Sequence, residues 1–382
     1  MSAEQKSLKQ IIDYRKEKLN DLRKKGIDPY PSKFTPTHFS ELIKINFEKL
    51  EGKNVVVAGR IMVIRRMGKA SFFRIVDNEG GIQIFIKKDD IGDFSYENFK
   101  LFDIGDFVGV SGQVFKTKTD EISIRTSKLT LLAKSIRPLP IVKEKDGTKY
   151  DSFSDKEQRY RNRHLDLLLN QRVKKTFIQR TKIIQCIRTF LDEQQFLEVE
   201  TPVLQPIYGG ANARPFVTHH NTLDQTLYMR IADELYLKRL IIGGIDRVYE
   251  IGKDFRNEGM DRNHNPEFTM LEFYWAYADY EDCMNLVENL IRNVAKKIDA
   301  LKIPFDNAEI NLNKPFKKKK FTELLSDKLG VNVNDVSEDQ LKQICKEKQI
   351  KVKQDANIGQ ILDALMGELV EPTLTEPTFV ID

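Results

Sequence analysis

The chain has 382 residues, 40% of them apolar and 31% charged, and 62 Lys+Arg against 57 Asp+Glu leave a formal charge of +5. That length allows two or three domains with cores of their own, and the composition suits a soluble, cytoplasmic protein. No run approaches the roughly 20 apolar residues of a membrane span, MSAEQKSLKQ lacks the apolar centre of a secretory signal, and Cys186, Cys283 and Cys345 are too scattered for a disulfide framework or a zinc site. The mild positive charge permits a nucleic-acid partner without requiring one.

Residues 5–25 carry the period of an amphipathic helix. Leu8, Ile11, Ile12, Leu19 and Leu22 share one stripe, with Lys9, Arg15, Lys16, Arg23 and Lys24 opposite. Gly26 and the turn Asp28-Pro29-Tyr30-Pro31 end it. The basic face is either a solvated surface or a contact for nucleic-acid phosphates. From 53 to 132 the period becomes that of strands: NVVVAGRIMVIR, SFFRIVD, GIQIFIK, DFVGVSGQVFK and EISIRTSKLTLL, with a helical stretch near Tyr96–Phe102 after the third. Five strands in that order predict an OB barrel, which binds oligonucleotides on its strand 2–3 face. Alternation sends one of Phe72 and Phe73 inward and leaves the other free to stack on a base; a doubly buried pair is the competing arrangement.

The chain thus reads as a basic helical segment (1–30), a barrel (31–135), a linker rich in Pro, Lys and Gly (136–165) and a larger domain (166–382), an α+β organisation. In the larger domain a helix over 172–195 runs into a strand, FLEVETPVL. Gly209-Gly210 opens a loop, and a second helix starts near Asp233 with acids in its first turn. RVYEIGKDFR and EFTMLEFYWAY are predicted as antiparallel strands around the loop NEGMDRNHNP, and Tyr280–Ile298 as a helix. The remainder is polar and Lys-rich, with Lys317–Lys320 a solvated edge.

Neither GxxxxGK[ST] nor GxGxxG occurs, which removes the P-loop and Rossmann phosphate cradles. The unusual residues concentrate in Arg256–Tyr274. On the second strand of that pair, Thr269, Leu271, Phe273 and Trp275 share a face suited to a core. Phe268, Met270, Glu272 and Tyr274 share the other, a mixture that suits a lined pocket. A carboxylate in mid-strand needs a partner, either a ligand cation or a neighbouring Arg or Lys.

Asp254-Phe255-Arg256-Asn257-Glu258 with Asn263-His264-Asn265-Pro266-Glu267-Phe268-Thr269 resembles motif 2 of class II aminoacyl-tRNA synthetases, and FLEVETPVL with Pro202 resembles motif 1, their dimer-interface element. GGANARPFVTHHN, RIADELYLKRL and RVYEIGKDFRNEG together resemble lysyl-tRNA synthetases, as do DPYP, VAGRI, MGKASF, RYRNRHLDL and AYADY. The resemblance implies ATP, L-lysine and lysine tRNA as substrates, Mg2+ with the ATP, and a homodimer. It gives Arg256 a catalytic clamp on the α-phosphate and the lysine carboxylate, Glu258 the adenine amino group, His264 the γ-phosphate, Phe268 the adenine ring and Asn265 a further place in the ATP site. It puts Gly210, Glu234, Glu272 and Tyr274 around lysine, and Arg60, Phe72, Gln83 and Glu121 at anticodon-reading positions. An acidic pocket is right for lysine and wrong for aspartate, which speaks against the aspartyl and asparaginyl enzymes. Relative to the family pattern, the glutamates that hold Mg2+ and motif 3 are expected beyond Asp382, so no metal ligand is assigned here and the catalytic sheet is expected to be incomplete. A fragment of the ligase is the favoured reading; a split enzyme completed in trans and a tRNA-binding paralogue without catalysis are the alternatives.

Overall fold

Ser7 and Gln10 exchange hydrogen bonds (Gln10 Oε1 accepting from Ser7 N at 2.7 Å) in a capping box that starts helix α1 (Leu8–Lys24). The computed structural model describes residues 7–382 apart from 141–142, 146–147, 151–152, 306–307 and 354. The first two residues of the predicted helix, and parts of the predicted linker, therefore lie outside the described residues. The chain forms two units, residues 1–171 and 172–382.

In the first unit, strands β1 (Asn54–Met67), β2 (Ala70–Val76), β3 (Gly81–Lys87), β4 (Phe107–Lys116) and β5 (Ile122–Ala133) close into a barrel in the order β1-β2-β3-β5-β4. Helix α2 (Asp93–Phe99) lies between β3 and β4, three residues earlier than the helical stretch expected near Tyr96–Phe102. Every second residue of β1 from Val55 to Ile61 is buried, and these side chains meet Ile75, Ile84 and Val110 in one core. Phe72 and Phe73 divide as alternation requires: Phe73 is in the core and Phe72 is half-buried on the outer face.

The basic face of α1 is only partly a surface. Arg15 is buried and donates to the carbonyls of Ile104 (2.9 Å), Ser135 (3.0 Å) and Arg137 (3.2 Å), while Lys18 donates to Asp103 at 2.6 Å. These bonds tie the helix to the barrel; Lys9, Lys16, Arg23 and Lys24 remain exposed. Beneath α1, the fully buried Lys134 ammonium bridges Asp103 (2.6 Å) and Asp106 (2.8 Å). Burial pushes the Asp106 carboxyl above its usual range in spite of that lysine, whereas Asp103, despite its own burial, is held below it by Lys134 and Lys18. The predicted linker is not featureless: it contains a short helix at Lys156–Arg161 and runs into another at Arg163–Leu169.

The second unit begins with α3 (Gln171–Glu193). FLEVETPVL was expected to be one strand; it is two, β6 (Leu197–Glu198) and β7 (Leu204–Gln205), in different sheets. Pro202 lies between them and has no N–H to give a ladder. β7 pairs with the hairpin of β8 (Val217–His220) and β9 (Gln225–Met229). β6 pairs parallel with β10 (Arg247–Phe255), which pairs antiparallel with β11 (Glu267–Trp275), as predicted. Helix α4 (Glu234–Ile242) precedes β10, and α5 (Tyr280–Lys297) follows β11. Leu271, Phe273 and Trp275 pack against Phe190, Leu191, Phe196 and Leu286, so one face of β11 is core as its alternation indicated.

The last stretch is less polar than its composition implied. Helices α6 (Phe321–Leu329), α7 (Glu338–Glu347) and α8 (Ile358–Leu365) enclose their own core of Leu325, Leu341, Cys345, Ile361 and Leu365. Lys317–Lys320 form a strand paired parallel with Thr378–Ile381, and all four lysines are exposed, as expected of a solvated edge.

Removing the buried Lys134 ammonium leaves Asp106 without its cation. Lys134→Met is predicted to destabilise the barrel by about 3 kcal/mol, and Lys134→Met/Asp106→Asn to recover part of that loss. Urea unfolding followed by circular dichroism measures both, and equal stability of the single and double variants would contradict the pairing.

Candidate active site

The loop joining β10 to β11 is closed at its base by Arg256, whose backbone N–H donates to the Pro266 carbonyl at 2.9 Å. Asp261 organises the loop's tip, accepting from the backbone N–H groups of Asn263 (2.7 Å) and His264 (2.8 Å) and lying 2.8 Å from His264 Nδ1. The hydrogen bond from His264, followed by those two backbone donors, holds the Asp261 carboxyl below its usual range. Arg256 donates from Nε to the Ile231 carbonyl at 3.4 Å and its guanidinium stands 5.0 Å from the centre of the Phe268 ring. Between these groups is a cavity of about 240 Å3 lined by Arg256, Glu258, Gly259, Asn263, His264, Asn265 and Phe268. All five residues that the resemblance gave to ATP line this one cavity.

The other face of β11 carries the second group. Glu272 accepts from the Asp233 backbone N–H at one oxygen and from the Tyr274 hydroxyl at the other, both at 3.2 Å. Glu234, the first residue of α4, pairs with Lys238 one turn on, at 2.6 Å. Burial, then the charges of Glu272 and Glu234, push the Tyr274 phenol well above its usual range. Gly210, at φ +88°, faces the same helix start: a Cβ there would lie 2.8 Å from Glu234 Cβ and 3.0 Å from Ala232 Cβ. Gly210, Glu234, Glu272 and Tyr274 therefore converge. Among the described residues, no Lys or Arg forms an ion pair with Glu272, so the neighbouring cation weighed as its partner is not found.

What sequence reasoning missed lies directly behind this pocket. Arg230 is 2% exposed, and its guanidinium donates to the carbonyls of Lys253 (2.9 Å) and Thr201 (3.3 Å) and pairs with Glu250. It approaches Asp233 at 2.9 Å and Asp254 at 3.3 Å. The available signal was the spacing Glu250-Gly252-Asp254, which puts two acids on one face of β10, with Glu250 directly across from Glu272. Asp233, Asp254 and Glu272 each bring one carboxylate oxygen within 4.8 Å of the others, the one such group among the described residues, and Arg230 already serves the two aspartates as a cation.

On the barrel's outer face Phe72 packs against Phe85 (ring centres 4.9 Å apart), which meets Phe115 at 6.1 Å. Gln83 donates to Ser123 at 3.0 Å, and Glu121 lies 4.0 Å from Arg74, the cross-strand neighbour of Gln83. Phe72, Gln83 and Glu121 thus belong to one surface. Arg60 lies apart. It is opposite Val76, about 13 Å along β2 from Phe72, and its guanidinium donates to the Gly105 carbonyl over the Phe107 ring. Burial lowers its pKa, partly offset by Asp106. The exposed Arg65 stands directly across from Phe72 instead. Pro202 is exposed, its carbonyl accepting from Gln205 at 3.0 Å.

Comparison with known proteins bears on both units. The family of class II tRNA synthetases (D, K and N) matches residues 155–382, and the OB-fold nucleic acid binding domain matches 55–139. The lysine–tRNA ligase of Carboxydothermus hydrogenoformans is 48% identical over 381 residues, 99% of this chain and 77% of that protein. Those of Clostridium novyi and Thermoanaerobacter pseudethanolicus are 47% and 48% identical, over 97% and 98% of this chain and 73% and 74% of theirs. The chain belongs to the lysine–tRNA ligase family. Its fold is that of the family: an OB barrel and a class II aminoacyl-tRNA ligase domain, the latter containing the β10–β11 hairpin. No helix among the described residues is long and apolar enough to cross a membrane.

Gly210 has a positive φ and no room for a Cβ, whereas a Cβ on Gly259 would meet nothing within 4 Å. Gly210→Ala is predicted to cost about 1–3 kcal/mol and Gly259→Ala well under 1, a contrast that thermal unfolding of the two variants reads directly.

Proposed function

We propose that this chain activates L-lysine with ATP as lysyl-adenylate and passes the lysyl group to the 3′ end of lysine tRNA, as a cytoplasmic homodimer. The single observation carrying this reading is the pair of adjoining sites on β10 and β11: a cavity ringed by Arg256, Glu258, His264, Asn265 and Phe268, beside the carboxylates of Glu234 and Glu272. In the first step a lysine carboxylate oxygen attacks the α-phosphorus and the bond to the bridging oxygen of pyrophosphate breaks. In the second, the terminal hydroxyl of the tRNA attacks the adenylate's carbonyl carbon and AMP leaves. Neither step needs a protein nucleophile, so alignment and charge stabilisation carry the rate.

Arg256 uses Nε on the Ile231 carbonyl, and among the described residues its remaining donors make no other hydrogen bond. They are in place to bridge the α-phosphate and the lysine carboxylate as charge develops between them. Phe268 offers a ring for adenine, Glu258 an acceptor for its amino group, and His264, fixed by Asp261, a donor for the γ-phosphate. Mg2+ with the ATP is part of the proposal. Glu258 is the one carboxylate lining the cavity and does not by itself make a divalent-cation site, so the steps assigned to these side chains do not involve the metal.

At the other site, Glu234 and Glu272 meet the ammonium groups of lysine. An acidic amino acid would leave both carboxylates unpaired, a discrimination that binding alone can supply. On the barrel, the Phe72–Phe85 surface with Gln83 and Glu121 suits unstacked anticodon bases, which are read by stacking and by polar groups at their edges. Arg65 joins this assignment from its position across from Phe72. The homodimer rests on the motif 1 likeness around Pro202. The cytoplasmic location rests on three free cysteines, which fit a reducing compartment.

Two variants separate the sites. Glu234→Gln should raise the lysine KM in ATP–pyrophosphate exchange by about 10–100-fold and leave the ATP KM nearly unchanged; equal effects on both would remove Glu234 from lysine selection. Phe72→Ala should cut the efficiency of tRNA charging by about 10-fold or more while exchange continues at the original rate. Unaltered charging would mean that bases are read elsewhere on the barrel.

A further inference from the structure

The acidic layer behind Glu272 holds more negative charge than its one guanidinium neutralises. Asp233, Glu250 and Asp254 surround Arg230, with Glu272 beside the two aspartates, and Glu250 takes the best-aligned share, accepting also from Thr201. Asp233 and Asp254 are fully buried, and neither oxygen of either accepts a hydrogen bond. Arg230 lies within 2.9 Å and 3.3 Å of them, but without the alignment of a hydrogen bond. Carboxylates placed this way cannot all remain ionised in an empty pocket; a proton or another cation must reduce the surplus.

We propose that Asp233 and Asp254 are specificity-determining residues that hold a proton in the empty pocket and release it to solvent when an ammonium group of lysine arrives at Glu272, so that binding exchanges one cation for another. This rests on the reading of Glu234 and Glu272 as the lysine site. The two aspartates act through Glu272: the Asp233 N–H fixes one of its oxygens, and the Asp233 and Asp254 carboxylates set the charge behind it. A neutral or acidic side chain cannot take the proton's place, so the buried acids penalise it even without touching it.

The protonation equilibria agree with this geometry. Burial, then the charge of Asp254, raises the Asp233 carboxyl to about 8 against the pull of Arg230. Burial raises Asp254 to about 6, with Arg230 opposing and Glu272 reinforcing. The charged and titratable groups facing the pair are Arg230 at the end of β9, Glu250 on β10, Arg256 in the loop, Glu272 and Tyr274 on β11, and Glu234 with its partner Lys238 on α4. At pH 7 Asp233 therefore carries a proton in the empty site. An arriving ammonium lowers its pKa, the proton leaves, and lysine affinity rises as pH increases from 6 to 8 and then levels off.

Calorimetric titration of L-lysine into the full chain at pH 7, in two buffers of different ionisation enthalpy, measures the protons released. We expect release approaching one per lysine, a dissociation constant that falls by about tenfold or more between pH 6 and pH 8, and a smaller release with a flatter pH profile in Asp233→Asn and in Asp254→Asn. Should Asp233→Asn not fold, Asp254→Asn and the wild-type buffer comparison carry the test. Retained lysine binding with buffer-independent heat, or unchanged proton release in the variants, would overturn the proposal. Failure of the underlying site reading looks different: Glu272→Gln would bind lysine as the wild type does.

Discussion

Arg230 lies flat on a stretch of backbone that has no side chain to obstruct it. A Cβ at Gly252 would sit 1.9 Å from Arg230 Nη2, so the guanidinium and that glycine are two halves of one contact. From this position it joins three segments far apart in the chain: the turn at Thr201, the start of α4 through Asp233, and β10 through Glu250 and the Lys253 carbonyl. A buried ion cluster is a weak source of net stability, because desolvation offsets most of the attraction. Its consequence here is geometric. Removing the guanidinium would leave several carboxylates buried and uncompensated, so the segments have few other low-energy arrangements, and the two carboxylates assigned to lysine inherit that constraint.

The pocket follows from it. Glu234 is the first residue of α4, and Asp233, the residue before it, is held beside Arg230, so the helix can start in few places. Glu272 stands on β11 directly across from Glu250, the best-bonded partner of that guanidinium. The opposite face of β11 is fixed by packing: Phe196 stands edge-on to Phe273 and Trp275, at 5.7 and 5.9 Å. One strand thus has an apolar face that sets its depth and a polar face that sets the pocket's charge. The tip of the loop between β10 and β11 is organised differently, by Asp261 gathering its own neighbours.

Much of this was legible in the order of residues, and what was not has identifiable causes. The alternation of β11 separates core from pocket correctly because a strand's period of two is a local property. The barrel's five strands and the division between Phe72 and Phe73 were legible for the same reason. Arg230 escaped notice because the residues that make it unusual lie 20 or more positions away, at Glu250 and Lys253. Arg15 looked like one more charge on a basic helix face, whereas its partners are carbonyls 89 to 122 residues away. FLEVETPVL read as one strand because its composition is strand-like; which sheet each end joins depends on partners that composition does not name. The core of α6, α7 and α8 was obscured by the lysines on its exterior.

On the proposed reading the two units recognise by opposite physical means, and the difference explains where each can tolerate change. The outer face of the barrel offers Phe72, Phe85 and Phe115 half-exposed, so a base that stacks there gains contact without moving a charge out of water. On the proposed reading, selectivity comes from Gln83, Glu121 and Arg65 at the edges of that surface, each of which solvent can reach. The acidic pocket works by burial. Asp233 and Asp254 behind it have lost water before the ligand arrives, and that deficit makes an ammonium group preferable to any neutral side chain. A surface of the first kind loses affinity in small steps when one contact is removed. A pocket of the second kind is coupled through Arg230, so a change at one carboxylate alters the protonation and position of the others, and the site responds as a unit.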